Sequence, residues 1–383
     1  MSPDLVDRLE REGVWEGVVG FPNPVDAPQQ LGLVRQPLGV RLEGIRAVTP
    51  VADGPGERWI VVSDDGLIEL DTAGDGAIRR ITALPAGPLL LDGDATPVVA
   101  TDRVGRFVAV ASAEGRHGAV IETSTGRVTM HLDRGDYHED VCRFPLAFAD
   151  IAGRTVLVHA TEWNRLDCSD PSTGARLTDR DTPQYRTPGD KDAHYLDYFF
   201  CGLSVSPGGR RIVSDGWVWH PWGVLAIWDL EAWLGGNSWE SEDGPSRFVP
   251  DPRPWVWDAP RAWIDDNRLA VWGFGVDKHL HHGVRIYDVE RQEETDWFPG
   301  PTGELTSDGT LLYVFGPDNR LAAWGFAVDE HLHHGLAVYD IATGHRLLSR
   351  PGLTARARHP RTGRLLAISD DGNTEIVRIT KSE

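Results

Sequence analysis

Two HisLeuHisHis tetrapeptides, at 279–282 and again at 331–334, carry the side chains best suited to holding a metal. In extended backbone alternate residues face one side, so His279 and His281 form one chelating pair and His331 and His333 another. Asp277 and Asp329 lie two residues upstream, where a carboxylate can ligate or orient an imidazole. Zinc is the first ion such a set would take, and metal-assisted hydrolysis or a lyase reaction is the chemistry it would support. Duplication explains the same pattern without a ligand. Residues 267–289 recur as residues 319–341 with 16 of 23 positions identical at an offset of 52. Copying of a whole segment is the favoured expectation, with no cofactor and no catalytic residue assigned.

Other candidates for catalysis are thin. The paired acids Asp64/Asp65, Asp265/Asp266 and Asp370/Asp371 sit in or beside turn sequences, where Asp serves local backbone geometry. AspTyrHisGluAsp at 136–140 has acid, base and phenol together, without an identifiable partner elsewhere. No nucleophile elbow, zinc-protease helix motif, phosphate loop, dinucleotide fingerprint or EF-hand loop is present.

Aromatic side chains point instead to binding. The chain holds 15 tryptophans, concentrated between Trp217 and Trp272, and large rigid rings give contact area at low entropic cost. Those in turn-like segments are the candidate contact residues: Trp217, Trp219, His220 and Trp222 in GlyTrpValTrpHisProTrpGly, Tyr137 and His138, Tyr198, Trp255 and Trp257, Phe274 and Phe326. Trp219 and Trp222, which flank HisPro, are expected to be exposed. The remaining tryptophans are expected in the core.

The elements that must position these groups follow from the repeat. A strand-rich chain with a period near 40–50 residues reads as a β-propeller, all-β, with blades of four antiparallel strands. Short β-rich runs between turn signals give a count of seven blades, with six and eight as the alternatives. The first has strands at 58–63, 67–70 and 78–83, and the second at 107–111, 119–122 and 128–132. The third has strands at 146–150 and 155–159, a turn at 169–174 and a further run from Arg176 onward, and the fourth has strands at 202–206, 211–215, 224–230 and 247–249. Blades five and six hold the duplicate, whose offset predicts strand a at 311–315 and strand b at 320–325 in blade six, with 303–310 as a connection. The alternative places 311–315 as strand b and makes the histidine segment an insertion. Blade seven runs out of chain after three strands, so residues 38–42 are expected to supply its fourth and close the ring. Residues 2–13 read as a short helix within an arm over 1–30, and residues 31–383 as one propeller domain.

In this architecture the b–c turns and the connections between blades share one face. The b–c turns at 63–66 and 369–372 are tight, whereas those of blades four, five and six are long, so the binding face is expected to be lopsided toward blades four to six. The net charge of -20 disfavours nucleic acid and anionic membranes, and a basic protein or peptide suits the field better. Cys142, Cys168 and Cys201 show no metal or disulfide spacing and are expected to be reduced. Without an apolar leader or a long apolar run, the expectation is a cytoplasmic protein.

The strand endings IleTrpAsp at 227–229, IleTyrAsp at 286–288 and ValTyrAsp at 338–340 resemble those of WD40 propellers. The GlyHis pair of a standard WD40 repeat does not recur in register. HisGly or TrpGly instead precedes strand c at 117–118, 222–223, 282–283 and 334–335. The segment 198–230, with SerTrpGluSerGluAspGlyProSerArgPhe at 238–248, is similar to a group of bacterial WD40-like propeller proteins of uncharacterised function. That resemblance spans most of residues 100–380 and implies the fold alone. Such propellers mostly serve as interaction platforms, so the function expected is a non-catalytic scaffold that binds a protein or peptide; the alternative is a propeller enzyme using the histidine loops.

Overall fold

Alternation along each strand, with both faces apolar, dictates sheets buried on two sides. In Arg58–Ser63, Trp59 and Val61 enter one apolar cluster while Ile60 and Val62 enter the next. Arg268–Gly273 does the same, with Leu269 and Val271 facing blade four and Ala270 and Trp272 facing blade six. Such strands can satisfy both faces only between two neighbours, which is the condition a radial array of sheets meets.

The computed structural model describes residues 22–28, 31–74, 76–84, 96–181, 194–219, 222–250, 253–254, 256–273, 282–300, 303–316 and 335–381. The helix expected over 2–13 lies outside them. Seven sheets are arranged in a ring, six of four strands and one of three. The first strands of blades one to six touch in succession, and the first strand of blade seven touches that of blade one. A separate apolar cluster fills each of the seven gaps between blades. Closure uses Leu31–Arg41, which pairs antiparallel with Asn373–Lys381 as the outer strand of blade seven. The donor expected at 38–42 is therefore correct in role and begins earlier in the chain. Arg35 and Glu375 reinforce it.

Blade three contains Leu146–Ile151, Arg154–Glu162 and Arg165–Ser169, and among the described residues only the Ser169–Arg176 bridge stands for an outer strand. The two-residue turn Trp163-Asn164, with Glu162 opposite Arg165, is absent from the sequence reading. In blade four a short helix, Leu230–Gly235, capped by Asp229, interrupts the path from the third strand to Phe248, which bridges back to Ile227.

Blade six corrects the strand order drawn from the duplicate. Strand a is Glu304–Ser307, strand b is Leu311–Phe315 and strand c is Gly335–Asp340, so the alternative reading holds. The physical reason lies in composition. LeuLeuTyrValPhe sends Leu312 and Val314 toward blade five and Tyr313 and Phe315 toward blade seven. The copied ArgLeuAlaAlaTrpGly offers less apolar area and weaker strand propensity.

The glycine before strand c has a steric cause. A Cβ on Gly223 would lie 1.6 Å from the Val256 carbonyl oxygen, one on Gly283 2.6 Å from that of Phe298, and one on Gly335 2.3 Å from that of Arg350. The outer backbone crosses too close there for any side chain.

Candidate binding face

Four segments distant in sequence meet at one patch where blades three and four adjoin. The connection from blade two to blade three, residues 134–145, is held from inside by Arg134. Its Nε donates to the Gly115 carbonyl at 2.8 Å, Nη1 to that of Cys142 at 2.8 Å, and Nη2 to that of Glu139. Burial pulls the Arg134 pKa down to about 10. A buried guanidinium committed to three carbonyls fixes the loop and turns Tyr137 and His138 outward. The left-handed backbone at His138, φ 51°, completes that turn.

The second segment is the end of the connection into blade four. Phe199 and Trp217 exchange backbone hydrogen bonds of 2.8 and 3.0 Å. Tyr198 is fully enclosed: its hydroxyl accepts from the Gly216 amide at 2.7 Å and donates toward the Val224 carbonyl at 2.9 Å. Burial raises the pKa of that phenol, which keeps it neutral. Tyr198 is thus a brace for blade four and not a contact residue. The third segment is the Trp163-Asn164 turn of blade three, where the Phe200 amide donates to the Trp163 carbonyl at 3.1 Å. The fourth is the connection to blade five, where Trp257 Nε1 donates to the Val141 carbonyl at 3.1 Å.

Cys142 and Cys201, separated by 59 residues in sequence and 5.1 Å between Cα atoms, are joined as a disulfide beneath this patch. The expectation of three reduced cysteines is corrected: the fold brings together two that spacing alone could not pair. Cys168 is free and buried, and burial raises its pKa.

The rings form one network. Phe199 lies 4.4 Å from Trp163, 4.5 Å from Trp217 and 5.9 Å from Tyr137, centroid to centroid. Trp217 continues to Trp219 at 4.7 Å and Trp257 at 5.9 Å, and His138 meets Trp219 edge to face at 5.5 Å. Tyr137 is 48% and Trp219 38% exposed, and His138 is exposed, whereas Trp217 is 7% and Trp222 4% exposed. Trp222 corrects its expected exposure. It opens strand c opposite Val218 and packs with Val256 and Trp263 in the core between blades four and five.

Beneath the patch, Asp215 is buried in strand b of blade four. It is paired with Arg253, and its other carboxylate oxygen accepts from the Ala259 amide at 2.8 Å. The Asp258 amide donates to the Asp215 carbonyl at 3.0 Å, so one residue fixes the loop carrying Trp257. Burial raises the Asp215 pKa, and Arg253 opposes that shift. An Asp flanked by Ile212, Val213, Trp217 and Val218 in one strand was the available signal; Trp163, Phe199 and Arg134 offered none that spacing could isolate.

The ring axis is open beside the patch. A cavity of about 420 Å³, lined in part by Thr101, Arg143, Phe144, Ser204, Asp258 and Glu304, adjoins a second of about 680 Å³ near Asp53, Arg103, Asp150 and Arg361. Arg143 and Glu304 approach to 3.7 Å at the first.

His220, Trp255, Phe274, Phe326, His279, His281, His331 and His333 lie outside the described residues. Among the described residues no group of three or more His, Cys, Asp or Glu side chains is placed to hold a metal ion. His282 is buried and stacks on Trp272 at 4.8 Å. In two of the paired acids that were set aside, one carboxylate serves a turn: Asp265 accepts from the Asn267 and Arg268 amides, and Asp371 from Ser369 and Asn373. Among the described residues no helix is long and apolar enough to cross a membrane.

A ring of seven sheets with its first strands about an axis defines a seven-bladed β-propeller. No protein-family model and no curated protein matches the chain. Solved structures do, in 860 chains, a breadth that fits a fold shared by many functions. One is a chain of "Crystal Structure of Mitotic Checkpoint Complex", with a TM-score of 0.50 and 13% identity over 93% of this chain and 94% of that one. At that identity the likeness is one of fold.

Proposed function

We propose that this propeller is a non-catalytic binding module that recognises a protein or peptide through the patch at the junction of blades three and four. One observation carries the reading: rings from four separate segments converge there, and the network stays open at Tyr137, His138 and Trp219. Apolar surface that is costly to leave in water, and anchored by a buried arginine, a disulfide and a buried ion pair, is suited to a preformed contact site. The structural neighbour belongs to a complex, which agrees with a protein partner. This patch lies at blades three and four, two blades before the histidine turns of blades five and six, which fall outside the described residues.

The test is affinity capture from the native host with the wild type and with Tyr137→Ala/Trp219→Ala. A partner held by the wild type should be lost from the double variant, with the thermal midpoint retained. Equal recovery of that partner by both proteins would remove this face from the proposal.

A further inference from the structure

We infer that the aromatic patch is a receptor for a cationic side chain, an arginine or lysine carried on a basic peptide segment; this rests on the reading of the patch as a binding face. The first ground is ring geometry. Trp219 meets Trp217, His138 and Phe199 at interplanar angles of 61°, 82° and 81°, so among the described residues no parallel ring caps it, and among them Tyr137 stacks only on Phe199. Exposed indole and phenol faces carry the negative side of the ring quadrupole and attract a cation placed over them.

The second ground is the sign of the rim. Asp136 and Asp140 flank Tyr137 and His138 in the chain, Asp197 immediately precedes Tyr198, and all three are exposed. Asp140 and Asp197 form no ion pair among the described residues. Of the nearby cations among the described residues, Arg134 is buried and donates to three carbonyls, with Glu139 and Asp140 close enough to feel its charge. Arg116 is engaged with Asp133 at 2.7 Å and reaches Asp136 only at 3.9 Å. Arg143 turns toward Glu304. The patch therefore offers π faces together with exposed carboxylates, two of which form no ion pair among the described residues, inside a chain of net charge -20. An acidic peptide would meet repulsion, and a neutral one would leave the carboxylates without a partner.

Three glycine–serine peptides, carrying arginine, its uncharged isostere citrulline, or glutamate at the same positions, would be titrated into the intact protein with tryptophan fluorescence as readout. The arginine peptide should bind, and the other two should bind at least about tenfold more weakly. Trp219→Leu keeps apolar bulk and removes the π face; it should weaken arginine-peptide binding about three- to tenfold. Asp140→Asn/Asp197→Asn should weaken it by a similar factor and lessen its salt dependence. Equal binding of the citrulline peptide would overturn the cationic receptor while leaving a binding face. Arginine-peptide binding unchanged in both variants would place the contact elsewhere and overturn it too. If no peptide binds, the receptor is also rejected, and partner capture with Tyr137→Ala/Trp219→Ala decides the binding face separately.

Discussion

The seam between blades seven and one and the stack of blades three, four and five solve the same packing problem with different ends. At the first seam Trp59 is fully buried, its Nε1 donating to Thr72 Oγ1 at 3.0 Å, and Thr72 donates to Glu57 at 2.6 Å. Glu57 is held across the seam by Arg364 at 2.6 Å. The b–c turns above it are tight: Ser63 pairs with Gly66, and the Gly372 amide donates to Ser369. These two turns, SerAspAspGly in both cases, carry no apolar side chain. At blades four and five a buried ion pair, Asp215–Arg253, does the corresponding work, but the segments above it end in Tyr137, His138 and Trp219, whose rings reach solvent. The contrast separates rings that complete a core from rings that exceed it.

Stability measurements should break or sharpen that contrast. The largest effect is expected from Arg253→Met, which strands a fully buried Asp215 carboxylate and should cost about 3–5 kcal/mol in denaturant unfolding. Arg364→Met at the closing seam should cost less, about 1 kcal/mol, because its side chain is 28% exposed and water screens the pair. Equal losses would mean that the two networks are equivalent after all. Opening the disulfide with Cys142→Ser/Cys201→Ser should remove about 2–4 kcal/mol, read from the same unfolding curves. An unchanged midpoint would show that the aromatic patch is held without it.

A smaller effect is tied to pH. His159 is buried, its Nδ1 donating to the Ala160 carbonyl and its Nε2 accepting from Ser169 Oγ, each at 3.0 Å, and burial lowers its pKa below the usual value. The unfolded chain takes up the proton near pH 6.5, and the folded chain only at lower pH. Its contribution is therefore complete above about pH 6.5 and declines as pH falls toward the folded pKa, by at most about 1.4 kcal/mol per pH unit. Thermal melts of His159→Gln should show a flatter acid limb than the wild type. Smallest of all, Tyr137→Ala/Trp219→Ala should stay within about 1 kcal/mol of the wild type; a larger loss would assign these rings to the core.

The duplicate illustrates how far residues can be read without coordinates. Its third strand falls where the offset places it, Gly335–Asp340 matching Gly283–Asp288. Its second does not, because LeuLeuTyrValPhe occupies the strand-b position and feeds both adjacent gaps. Sequence identity measures descent of a segment, whereas a strand position is awarded by what its two neighbours need buried. Trp219 and Trp222 make the same point at one turn: two residues on either side of HisPro, similar in every local respect, end on the surface and in the core respectively.

Local chemistry alone determined the all-β class and the closing role of the N-terminal strand and favoured seven blades over six or eight, since alternation, turn residues and a short last blade are properties of neighbouring residues. The pairing of Cys142 with Cys201, the burial of Trp222 and Tyr198, and the gathering of Trp163, Phe199, Trp217 and Trp257 into one network were decided only by the tertiary structure. Each joins segments that no local rule relates, and closing the ring sets the distances between them.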